Sequence, residues 1–244
     1  MPERLQKLIA NAGYGSRRWA ERLIEQGRIS VNNHEAKLGD KAIIDDKVTI
    51  DGRPIDLKRY SEVETKVLII NKQAGIICSN KDEEGRKSVF DFLPENTRWV
   101  MVGRLDLNTS GLLLFTNNGD LANKLMHPSS EIDREYAVRI LGQVEEKHIK
   151  QLTSGIELED GFAKFHRVNL GGGEGANRWY HVVVREGRKR EVRRLWEALE
   201  FKVSRLIRTR FGDIRLPDNL RANQTDYLKP KQVEALMKAV NLKE

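Results

Sequence analysis

The sequence predicts an α+β protein in two parts: a small domain over residues 1–60 and a larger one over 61–244, the latter a mostly antiparallel mixed sheet flanked by helices. Three observations lead there. Strand-like and helix-like segments are interspersed, with strands in excess. A polar, aperiodic stretch, KRYSEVETK at 58–66, separates segments of different composition and reads as a linker. Charge is spread unevenly: Arg178–Arg215 holds twelve basic and five acidic residues, an excess equal to the +7 of the whole chain.

In the first sixty residues, Leu5, Leu8, Ile9 and Ala12 fall at helical spacing, and Gly13 is a stop. Ser16 is placed to cap a second helix that buries Ala20, Leu23 and Ile24 and ends at Gly27. Ile29 and Val31 alternate with polar residues in a short strand closed by Asn32-Asn33, and Lys47–Ile50 precedes a turn at Asp51-Gly52. Two helices and a few short strands make a marginal core, as expected of an appended module. Arg4, Lys7, Arg17, Arg18 and Arg28 lie on or beside the helices, and the pair at 17–18 sits where first-turn N–H groups also attract phosphate. An ordinary solvated helix face is the alternative.

Beyond the linker, Val67–Ile70 opens a buried strand, Asn71–Gly75 a turn and Ile76–Cys78 another strand. Ser88–Phe92 reads as a short helix. A strand follows at Leu112–Thr116, and Asp120 caps a helix through Met126. Glu135–Leu141 and Arg178–Arg185 are β-branched or alternating, hence strands. Gly171–Gly175 reads as a turn between strands, since its spacing fits no nucleotide loop. Arg190–Ala198 is helical, and Pro230 opens a last helix burying Val233, Leu236, Met237 and Val240.

The composition narrows the chemistry. One cysteine, Cys78, allows no internal disulfide and suits a reducing compartment. The apolar runs are too short to span a membrane, and charges at Glu3, Arg4 and Lys7 break any secretory signal, so a cytoplasmic protein without membrane attachment is expected. The five histidines are scattered without metal-ligand spacing. Carboxylate, tyrosine and arginine remain, in three segments: Arg104-Leu105-Asp106, Arg134-Glu135-Tyr136 and EGRKREVRRLW at 186–196. The excess of basic residues over 178–215 is too lopsided for paired helix salt bridges, and a phosphate-tracking face is expected.

Two resemblances gather these features. SRRWAERLI (16–24) followed by GRISVN resembles an S4 RNA-binding domain. GRLDxxTSGLLLxTNxGxLAxxLxHPxxxxxxxY from Gly103 to Tyr136, together with EGRKREVRRL, resembles the pseudouridine synthases, in the branch that carries an N-terminal S4 domain and acts on ribosomal RNA. MHPSSEIDREYAVRI and RKREVRRLWEALEFKVSRLIRTRFGDI are similar to members acting on the large subunit. The resemblance implies a cofactor-free isomerisation of uridine on a flipped-out base, with a structured ribosomal RNA stem-loop as partner; a monomer is expected. It implies that Asp106 is the essential aspartate, that Tyr136 stacks on the target base, and that Arg193 pairs with Asp106. Leu206 would floor the pocket and Arg104 would help open the duplex. Arg188, Lys189 and Arg190, with the five basic residues of the first domain, would contact RNA. Asp106 could instead merely cap its turn with Thr109 or Ser110. A sister enzyme for small-subunit or other large-subunit sites, or a non-catalytic assembly factor, also stays open.

Overall fold

The computed structural model describes residues 2–59, 64–79, 82, 84–95, 97–173 and 177–242. The chain divides into two compact units, Met1–Thr65 and Lys66–Glu244. Residues 60–63 of the expected linker, and Glu174 and Gly175 of the expected glycine-rich turn, lie outside the described residues.

The first unit runs β1 (Glu3–Arg4), α1 (Leu5–Asn11), α2 (Arg17–Glu25), β2 (Ile29–Val31), β3 (His34–Glu35), β4 (Lys41–Ala42), β5 (Val48–Ile50) and β6 (Arg53–Ile55). Ser16 caps α2 as expected, its Oγ accepting the Trp19 N–H at 3.1 Å. Four strands pair antiparallel in the order β3-β2-β5-β6. Two-residue turns at Asn32-Asn33 and Asp51-Gly52, with positive φ at all four residues, close two of these pairings. The apolar helix positions pack with Ile29, Val48 and Leu57 into one core.

The second unit continues with β7 (Val67–Lys72), a 3-10 turn at Val89–Phe92, β8 (Val100–Val102), β9 (Ser110–Thr116) and α3 (Gly119–Met126). Next come β10 (Arg134–Leu141), α4 (Glu146–Ser154), β11 (Ile156–Leu158), β12 (Gly161–Ala163), β13 (Arg167–Gly172) and β14 (Asn177–Val184). The chain then forms α5 (Glu191–Glu197), β15 (Lys202–Phe211), β16 (Ile214–Arg215), β17 (Thr225–Tyr227) and α6 (Pro230–Ala239). The main sheet has the order β13-β14-β10-β15-β9-β7-β17, with β8 beside β9 and β16 beside β15. Every pairing is antiparallel except β15 with β9, which join the two halves of the sheet.

That parallel junction is close. Gly111 has φ +102°, and a Cβ there would fall 2.3 Å from the Arg208 carbonyl oxygen. Only glycine meets both demands. On the β7–β9 half, Leu112 and Leu114 face α3 and α6. Leu113 and Phe115 face Val89, Trp99 and Leu105 on the other side. On the β14–β10–β15 half, Val138, Ile140, Tyr180, Val182 and Leu206 pack beneath α4 and α5. Tyr136 touches both of the last two clusters and marks the seam between them.

Several expectations are corrected. Asn118, not Asp120, caps α3, accepting the N–H groups of Asp120 and Leu121 at 3.0 Å each. Ile76–Cys78 forms no strand, only a single bridge from Ile77 to Ser88. The strand from Val67 runs on through Lys72, so the turn is shorter than expected. The longest strand, β15, and the helix α4 were not anticipated. No helix among the described residues is long and apolar enough to cross a membrane.

Candidate active site

The site is built on the loop between β8 and β9. Residues 106–109 form a tight turn, closed by the Thr109 N–H donating to the Asp106 carbonyl at 3.0 Å. The turn has two cationic anchors. Lys72, at the end of β7, is 0 % exposed. Its Nζ donates to the carbonyls of Thr109 at 2.9 Å, Gln73 at 3.1 Å, Asp106 at 3.2 Å and Leu107 at 3.4 Å. Arg193 of α5 supplies the second anchor: Nη2 donates to the Asn108 carbonyl at 2.9 Å and Nη1 to the Val203 carbonyl at 3.1 Å. The carbonyls of 106 to 109 are thus all held by two side chains from different elements. The Gly75 N–H adds a bond to the Leu107 carbonyl at 2.8 Å.

The Asp106 carboxylate itself is half-buried and takes no hydrogen bond or ion pair among the described residues. It does not cap its turn: Thr109 bonds it through the backbone, and the Thr109 hydroxyl is buried without a partner. Nor does Arg193 form the expected ion pair with it, because both Nη groups are spent on carbonyls and Nε is buried unpaired. The two charges influence each other through space. Burial pulls the Arg193 pKa down, the nearby Arg190 adds to this, and Asp106 opposes it. Lys72 is lowered by burial too, with Cys78 and Asp106 opposing.

Tyr136 on β10 lies opposite Arg208 of β15, and Val138 lies opposite Leu206, so Leu206 sits on the Tyr136 side of the sheet. Ser110, the first residue of β9, donates to the Leu206 carbonyl at 3.5 Å, which ties the Asp106 loop to β15. Asp106, Tyr136, Arg193 and Leu206 therefore converge around the β9–β15 junction. Arg104, two residues before Asp106, is exposed.

The basic residues meet different fates. Arg188 pairs with Glu186 and also donates to the carbonyls of Gly161 and Phe162, which fixes it to the β11–β12 hairpin instead of an open surface. Arg190 pairs with Glu197 at 2.9 Å, while Lys189 is exposed and has no carboxylate partner among the described residues. In the first unit Arg28 pairs with Asp51 at 2.6 Å and Lys7 with Glu3 at 3.0 Å. Arg4, Arg17 and Arg18 are exposed, without an ion pair among the described residues.

Three buried groups at the site escape sequence reasoning. Lys72 follows an apolar run, and a lysine at the end of a buried strand is the signal that could have found it. Arg208, 2 % exposed, donates Nε to the Leu112 carbonyl at 2.7 Å and leaves Nη2 unpaired. Glu191, the first residue of α5, has a buried, unpaired Oε2. Burial and the neighbouring Glu186 push its pKa up to about 7, against the opposing pull of Arg188 and Arg134.

The family model described as RNA pseudouridylate synthase matches residues 66–198, and the S4 domain model matches 3–42. The chain is 51% identical over 246 residues to the ribosomal large subunit pseudouridine synthase B of Yersinia pestis, covering 99% of this chain and 77% of that protein. With the enzyme of that name from Escherichia coli K12 it shares 51% over 241 residues, 94% of this chain and 83% of the other. The crystal structure of a pseudouridylate synthase superposes with a TM-score of 0.67 at 26% identity, covering 96% of this chain and 99% of that one. The chain belongs to the RNA pseudouridylate synthase family and carries an S4 domain at its N-terminal end.

Proposed function

We propose that this enzyme isomerises uridine to pseudouridine in large-subunit ribosomal RNA, with Asp106 acting at the sugar of the target nucleotide. The observation that carries the proposal is a carboxylate on a turn immobilised by Lys72 and Arg193, whose oxygens have no hydrogen-bond or ion-pair partner among the described residues. Such a group is held ready for a substrate. The names of the relatives from Yersinia pestis and Escherichia coli support the choice of the large subunit.

In the reaction the uracil N1–C1′ bond breaks, the base turns, C5 joins C1′, and the proton displaced from C5 is balanced by one gained at N1. Nothing is consumed. Positive charge develops at C1′ as the base leaves, and Asp106 stabilises it, by attack at C1′ or by taking a C2′ proton. Removing the target base from its stack costs a few kcal/mol, and stacking on an aromatic ring returns about 1–3 kcal/mol. Tyr136 takes that role above Leu206, and the exposed Arg104 enters the space the base vacates. Lys189, Arg4, Arg17 and Arg18, which lack carboxylate partners among the described residues, hold phosphates. Arg188 and Arg28, already neutralised, contribute less than the sequence suggested.

The test is to incubate the protein with large- and small-subunit ribosomal RNA transcripts and map pseudouridine. Modification of a single large-subunit uridine is expected. Modification confined to the small-subunit transcript would reassign the substrate, and none on either would leave an RNA-binding protein only.

A further inference from the structure

The basic segment 178–215 is less free than its sequence implies. Of its arginines, 185, 188, 190, 194 and 210 are paired with carboxylates, and 193 and 208 are buried on backbone carbonyls. Lys202 and Arg205 of β15 are exposed and have no ion pair among the described residues. Their neighbour across the sheet, Arg139 of β10, has none either.

We propose that the open face of the β13-β14-β10-β15 sheet, opposite Tyr136, is a second RNA-binding platform, on which Trp179 stacks a base and Arg139 and Arg205 hold phosphates. Along β14, Tyr180, Val182 and Val184 point into the core under α4 and α5, so Trp179 and His181 point the other way. The register sets Trp179 opposite Arg139 and Arg139 opposite Arg205, a row across three strands. With strands about 4.8 Å apart, the row spans about 10 Å. The next row is His181, Ala137 and Ile207, and the small Ala137 leaves the Trp179 ring uncrowded on that side. The ring has no aromatic or cationic partner among the described residues. His181 is 43% exposed along its side chain.

Charge decides the occupant. The acidic residue of this face, Glu135, is taken by Arg210 at 3.0 Å, with His181 at 3.9 Å. Arg139, Arg205 and Lys202 are left as net positive charge around an aromatic ring, the combination that binds a nucleotide chain by stacking and phosphate contact. The platform rests on the reading that RNA is the substrate, and it would engage a segment of that RNA away from the target uridine.

The experiment measures filter binding of the full-length protein to a large-subunit ribosomal RNA transcript over a range of salt, and pseudouridine formation at saturating RNA. Trp179→Ala is expected to weaken binding by about five- to 150-fold, the loss of one stacked base. Trp179→Phe is expected to restore most of it. Arg139→Ala with Arg205→Ala is expected to reduce the slope of log affinity against log salt by about 1.4–1.8, the loss of two phosphate contacts. All are expected to keep the wild-type kcat. Unchanged affinity and slope, with wild-type protein active, would overturn the platform and leave the proposed reaction standing. Unchanged RNA affinity with a self-association abolished by Trp179→Ala would overturn it in favour of a second copy of the chain. A wild-type protein that makes no pseudouridine would instead strike at the functional reading.

Discussion

Replacing Glu191 by glutamine is expected to stabilise the larger unit at alkaline pH, through a mechanism fixed by where that carboxyl lies. Glu191 is 5 % exposed and has an unpaired oxygen, with Glu186 on one side and Arg188 and Arg134 on the other. Its pKa rises from the ordinary 4.5 to about 7. The folded protein therefore keeps the proton over a range in which the unfolded chain releases it. Stability is full below the unfolded pKa, falls as pH rises toward the folded value, and levels above it. The full loss is about 3 kcal/mol, of which roughly half has already occurred by pH 5.5. Glutamine cannot ionise and escapes the loss. For a unit of this size each kcal/mol shifts Tm by about 2–4 °C, so Glu191→Gln should raise Tm at pH 8 by roughly 6–12 °C and by about half that at pH 5.5. Calorimetry at the two pH values measures this. An equal shift at both, or none at pH 8, would show that Glu191 is not a proton-retaining buried acid.

Three further substitutions probe the anchoring of the Asp106 turn. Lys72→Met removes a donor from four carbonyls, of which Asp106 and Leu107 keep a backbone N–H; since one bond to a charged group is worth about 1.5–3 kcal/mol, urea melts should show a loss of at least that size, together with a fall in kcat. Arg193→Lys cannot bond Asn108 and Val203 at once as a planar fork does, so kinetics on an RNA transcript should show a fall in kcat of ten-fold or more at nearly unchanged RNA affinity, on the order of 1.4 kcal/mol. Gly111→Ala drives a methyl into the Arg208 backbone at a positive φ, and soluble expression should collapse while Gly75→Ala, strained in φ but in open space, remains soluble.

Local rules made much of the fold legible. Capping by Ser16, the apolar spacing of α1, α2 and α6, and the wholly apolar run Leu112–Phe115 within β9 depend on neighbours in sequence, and the structure follows them. The strand β15 was hidden because four cations in KVSRLIRTRF read as a surface charge run. In the fold, Arg208 is buried on a carbonyl and Arg210 is neutralised by Glu135, which only tertiary pairing reveals. The same limit applies to the candidate site. Asp106, Tyr136 and Arg193 could be named from motifs, yet Arg193 spends its donors on carbonyls. Lys72, 34 residues before Asp106, entered no motif, because its role exists only once β7 has paired with β9.

The decisive measurement is pseudouridine formation by Asp106→Asn. The substitution keeps the size of the side chain and leaves untouched the backbone carbonyls on which Lys72 and Arg193 act, so fold and RNA binding should survive. No pseudouridine in a large-subunit transcript, from a variant that binds it as tightly as the wild type, is the expected result. Wild-type turnover by Asp106→Asn would contradict the assignment of that carboxylate to the chemistry.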